Sequence, residues 1–448
     1  MPQQISLERA IANLSDAIRF KTIATPTSRE QDYTPFDDFI LFLSQAYPLC
    51  HRRLEHTRIN NYGLVYRLKG KNRDAAPLLF LAHYDIIHPN PDQDNLWPHP
   101  PFEGIVENGF VYGRGALGGK SQLIALMETA ERLLESGQQP ERDLYLAFSF
   151  DTTLGGSLGA ARIASFFKSQ SLHFDCILDG GGACLDDLLP KIKRPVALIG
   201  LQEKGILNLR VTASGISGNV AAPPKDTATT ALSRILSALQ ENPMPARFTP
   251  ILREFFRCVS PDIAGSKRKF YDHVELFKPT LVKALSKNPL TAAMVRSTLT
   301  PTILSGSPAV HILPRQASAV LRCHLLPPDT PDSVIQHIKH LAPKENLTFD
   351  ILSYREAVPA SEPEAAAYRH LAACASVVFP QAQAAPGVTV LPTDAHHFTP
   401  LSAHIYHFTP LHLNLSDLDT LWNPGEKIAF DNLHNAIAFY TMFILNYK

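Results

Sequence analysis

The chain has 448 residues, a length that suggests two or three domains. Its 42 basic and 42 acidic residues cancel, so no net field favours nucleic acid or an anionic membrane, and neither is expected as a partner. Hydrophobic residues make up 45%, ample for large cores, yet no apolar stretch reaches membrane-spanning length.

The opening segment MPQQISLERA lacks the apolar core of a secretion signal. Cys50, Cys176, Cys184, Cys258, Cys323 and Cys374 follow no paired spacing. The expectation is a cytoplasmic protein with reduced, mostly buried thiols.

Apolar residues at Leu7, Ala10, Ile11, Leu14 and Ile18 recur at helical spacing, which predicts a helix over 7–20; a second covers 36–47. Residues 62–68 and 78–82 read as strands. The second strand delivers His83 and Asp85 at its carboxyl end, where open α/β sheets bind ligands. Two residues apart on extended backbone, they point the same way. Asp85 could therefore orient a metal-binding His83; the alternative is a polar strand end. A polar loop is expected over 90–95, a helix over 122–134, a strand over 144–150, a helix over 155–167 and a strand over 176–178. This alternation predicts a mostly parallel sheet covered on both faces.

Near Gly205 the pattern changes. Residues 207–214 alternate apolar and polar, as in a strand with one exposed face. A helix over 227–239 precedes a Pro- and charge-rich region to about 289; strands over 317–325 and 347–351 flank a helix over 333–341. Such a mixture predicts a small α+β insertion, after which the chain returns to the first domain and ends in a helix over 431–445. The expected division is 1–206, an inserted 207–355, and 356–448.

The segments AHYDIIHP, GRGALGGK, LAFSFDTTLGGSLGA, ILDGGG, ALIGLQEKG, SGISGNVAAPP, HILPRQASAVLRCHLLP, PTDAHHF and NPGEKI, with the pair Trp97 and Phe102, run in one order along nearly the whole chain. That order resembles the carboxypeptidase S, aminoacylase and glutamate carboxypeptidase family of di-zinc exopeptidases. The resemblance implies a mostly parallel α/β zinc-exopeptidase-like domain with an inserted α+β lid of the kind that dimerises. It also implies a ligand resembling a small peptide or amino acid.

The departures from the family pattern concern its chemistry. The resemblance places the metal-bridging Asp at Gly118, the general-base Glu at Thr152 and a zinc-ligand Glu at Thr153. The acid of the Asp-Glu-Gly segment falls on Asp179, with its Glu position at Gly180; the last ligand His falls on Trp422, and the lid His on Asn219. Gly118 offers no side chain, Thr152 cannot accept a proton near neutral pH, and Trp422 has only an N–H donor. His83 and Asp179 are the remnant ligands, short of the three that catalytic zinc needs. His311, His324 and His396 stand where the family has groups that meet the substrate carboxylate. Replacing Arg by His there loses the bidentate fork.

The expected function is a catalytically degenerate member of such a family, without a cofactor, serving a binding or regulatory role. Two alternatives stand beside it. One is an active peptidase or amidase built from His83, Asp179 and some of His311, His324, His396 and His397, with zinc. The other is a structural partner subunit.

Overall fold

The structure, a computed structural model, describes residues 7–26, 30–88, 91–189, 192, 194–262 and 274–448. A large mixed sheet of ten strands forms its centre. Strand Leu78–His83 lies between Leu144–Ser149 and Cys176–Asp179 and pairs parallel with both. Ile405–His407 continues parallel beside Cys176–Asp179, and Gln383–Thr389 runs parallel to Val196–Glu203. Antiparallel pairs occupy the Glu55–Ile59 and Gly63–Leu68 edge. The central strands are apolar on both faces, as in 78–82 and 144–148, because helices cover both sides. Helix Gly119–Glu135 is buried on nearly every side and packs against Leu7–Arg19 and Phe430–Asn446.

The polar residues of that buried helix are satisfied in pairs. Glu128 receives Arg9 and Arg132, while Glu131 accepts the backbone N–H groups of Leu49 and Cys50. The six cysteines are unpaired, and five of them are buried. No described helix is long and apolar enough to cross a membrane.

A second sheet, antiparallel, takes its strands in the order Thr298–Ser305, Gln316–Leu325, Gly205–Ser214, Leu347–Arg355. One face carries helices Ala228–Glu241 and Pro331–Leu341 over a separate apolar cluster. The alternation read over 207–214 reflects this one-sided burial.

Three segments differ from their sequence reading. The helix expected over 155–167 spans Ala160–Ser169, because Gly155 and Gly156 adopt positive φ angles of 99° and 69° and turn the chain first. The polar loop expected over 90–95 is the 3₁₀ helix Pro91–Leu96, with Asn90 outside the described residues. The Pro-rich region contains helices Pro250–Val259, Val274–Leu285 and Pro289–Val295; residues 263–273 lie outside the described set. Ile251, Phe255, Val259 and Leu281 join the core of the large sheet rather than the cluster under the second sheet.

Candidate functional site

The carboxyl ends of the parallel strands converge on one cleft. His83 ends its strand level with Ser149, and Asp179 ends its strand level with His407. The loop 113–118 reaches the same place from another direction. Buried Glu426 pins that loop by accepting N–H bonds from Gly115 and Leu117, at 2.9 and 3.0 Å, and by pairing with Arg114. Gly119 opens the buried helix against the His83 backbone and ring, closer than any Cβ would allow.

Asp85 is fully buried and organises one side. It accepts from His83 Nδ1 at 3.1 Å and from the backbone N–H and hydroxyl of Thr153 at 2.8 and 2.7 Å. Burial opposes a proton on His83, but Asp85 and, less strongly, Asp394 and Asp179 hold its pKa up at about 9. The imidazole is thus charged at neutral pH. Burial also works against the Asp85 carboxylate, and the His83 charge and Thr153 bonds hold its pKa low.

Asp179 and Asp394 form the other side. Both Asp179 oxygens accept backbone N–H groups, from Gly180 at 2.7 Å and Ala395 at 3.0 Å. Asp394 accepts the hydroxyl of Thr152, and its other oxygen is buried against Gly156 without a partner. Burial, reinforced by Asp179, pushes the Asp394 carboxyl well above the ordinary carboxylate range. Behind this pair lies a buried relay. Thr393 donates to Glu203 at 2.8 Å and approaches His407, while Glu203 pairs with Arg355 at 2.5 Å.

The residues singled out from the sequence divide by position. His83, Gly118, Thr152, Asp179, Gly180 and Trp422 line one cavity of about 150 Å³, with Thr153 just behind them on Asp85. His396 and His324 lie outside its lining: His396 faces the space beside Arg355, and His324 bonds the Val390 carbonyl. Burial pushes their pKa values down, to about 3 and about 4, so both rings are neutral. His397 packs against His396 with the rings tilted by 40° and bonds the Gly155 carbonyl. His311 and Asn219 are exposed in loops of the second sheet, and neither lines the cavity. The sequence reading missed Asp394, Glu203 and Arg355. Asp394 lies within PTDAHHF, beside the histidines singled out there.

The donor set does not fit a di-zinc centre. Besides His83, the described residues of the cavity offer only Asp179, whose oxygens are engaged by backbone, and Asp394, while the Thr152 and Thr153 hydroxyls donate to carboxyls. Gly118 and Gly180 supply nothing, and Trp422 cannot coordinate. Among the described residues, no group of three His, Cys, Asp or Glu could hold a metal ion.

The model of peptidase family M20/M25/M40 matches residues 79–446. The chain belongs to this family. Full-length M20-type relatives agree. The chain is 29% identical over 455 residues to the N-fatty-acyl-amino acid synthase/hydrolase PM20D1 of Mus musculus, covering 100% of this chain and 90% of that protein. It is 30% identical over 441 residues to the probable carboxypeptidase S-like 2 of Dictyostelium discoideum, covering 97% and 84%. An M20 family metallo-carboxypeptidase, Sso-CP2 from Sulfolobus solfataricus, superposes with a TM-score of 0.70 at 18% identity, over 97% of this chain and 98% of that one. Human carnosine dipeptidase 1 superposes with a TM-score of 0.69 at 13% identity, over 98% and 96%. The M20 fold is therefore kept throughout.

Proposed function

We propose that this chain is a catalytically degenerate M20 protein that acts by binding in the old cleft rather than by metal-dependent hydrolysis. One observation carries the reading: Gly118, Thr152, Gly180 and Trp422 line a single cavity with His83, and Thr153 stands directly behind it. The family resemblance assigns to these five positions the bridging acid, the base and three further ligands.

The replacements are electrically consistent. Four acidic positions have become neutral, at Gly118, Thr152, Thr153 and Gly180. Buried carboxylates without their cations would repel one another and suffer desolvation. Removing the acids together with the metals avoids that cost. The remaining charges are settled locally: His83 pairs with Asp85, and Asp394 accepts the Thr152 hydroxyl.

The test is hydrolysis of dipeptides and N-acyl amino acids by the purified full chain, with added zinc and with a chelator. The expected result is no turnover above buffer in either condition. Chelator-sensitive cleavage would establish a working metal site and end the proposal.

A further inference from the structure

We infer, on the reading that the cleft works without metal, that it binds a small uncharged molecule with an apolar body and an amide- or hydroxyl-type head. Its walls are chiefly apolar: Leu117, Leu391, Leu411, Leu413, Leu421 and the indole of Trp422. The volume of about 150 Å³ matches that of an apolar protein cavity known to admit a benzene ring. The polar lining other than the titratable groups consists of Gln122 and threonine hydroxyls at 152, 393 and 409, which are neutral hydrogen-bonding groups.

Charge selects against the alternatives. Among the described residues no Lys or Arg lines the cavity, so a ligand carboxylate would lie near Asp179 with no arginine fork to receive it. This departs from the amino-acid-like ligand that the family resemblance implies. An ammonium would have to shed its water between these apolar walls, where both Asp179 oxygens already accept backbone N–H groups. A neutral head meets neither penalty.

Trp422 gives an independent indication. It holds a backbone φ of 61°, a left-handed conformation that a bulky side chain rarely adopts, and its side chain is half-exposed while also lining the cavity. Such outliers concentrate where binding requires them. Here the turn after Leu415–Thr420 sets the indole at the mouth of the cavity.

The experiment uses Trp422 as reporter in a Trp97→Phe background, since Trp97 and Trp422 are the two tryptophans. The full chain is titrated with benzamide and hexanamide, with benzoate and hexanoate, and with benzylamine and hexylamine, by fluorescence and calorimetry. Gly118→Phe serves as the blocking variant. A Cβ there meets a single neighbour, Gly115 Cα at 3.9 Å, and the backbone is extended, so the main chain accepts a side chain at this position. The expected result is saturable binding of at least one amide, at least tenfold tighter than its charged counterparts, and lost in Gly118→Phe with the melting temperature preserved. No binding by either amide, tighter binding of an acid or amine, or binding unchanged in Gly118→Phe would overturn the inference. Zinc titration in parallel separates the two levels. A metal-free protein that ignores the amides defeats only this inference, whereas stoichiometric zinc uptake defeats the reading beneath it.

Discussion

Asp85 is the residue on which the local arrangement depends. A buried carboxylate that accepts three hydrogen bonds fixes both His83 and the Thr153 loop. Thr153→Ala removes the hydroxyl bond to that charged group and is expected to cost about 1.5–3 kcal/mol, with Thr153→Ser recovering most of it. Equal chemical-denaturation midpoints for the alanine and serine variants would show that the hydroxyl is idle. His407 sets a pH dependence. It is fully buried, and desolvation pushes its pKa down to about 4. The unfolded chain, near 6.5, takes up the proton first as pH falls. The neutral ring's contribution is therefore complete above about pH 6.5 and declines toward pH 4, by about 2 kcal/mol at pH 5. The stability lead of wild type over His407→Asn should shrink by that amount between pH 7 and pH 5 in urea melts. A lead independent of pH would contradict the assignment.

At the scale of elements, the strand ends and the glycine loops decide what the cleft can hold. The strand Leu78–His83 was legible because an unbroken apolar run ended in a histidine, and parallel strands buried on both faces leave that trace. The helices within 250–295 were not. Their prolines sit at first turns or, at Pro279, inside a helix, so the local breaker pattern hid the amphipathic face that the large core receives. Gly118, Thr152 and Thr153 were assigned by resemblance because GRG and Gly155-Gly156 fix the register there, and Trp422 by its place ahead of Gly425-Glu426. Asp394 escaped because a lone acid carries no periodicity, and its partner Thr152 lies 242 positions away. The glycines differ in their tolerance. A Cβ on Gly182 would overlap the Leu198 carbonyl, whereas one on Gly118 makes only an ordinary contact with Gly115 Cα at 3.9 Å. Gly182→Ala should lower stability by about 1–3 kcal/mol, and Gly118→Ala should leave it within about 0.5 kcal/mol. Thermal melts giving the reverse order would show that the loop packs differently.

At the scale of the whole molecule, the M20 architecture is retained along the chain, and the proposed loss of chemistry rests on several cleft positions that would work only together. Restoring one residue is expected to restore nothing, because groups acting as a unit are strongly non-additive. The combined variant Gly118→Asp, Thr152→Glu, Thr153→Glu, Gly180→Glu, Trp422→His and Asn219→His should take up zinc. Gly180→Glu also requires Gln122 to move, since its amide oxygen lies 2.8 Å from the Cβ to be added. The most direct measurement of the central claim is elemental analysis of the unmodified full chain after zinc loading and exhaustive dialysis. Retained zinc far below one ion per chain is the predicted result. Two ions per chain that survive dialysis would contradict it.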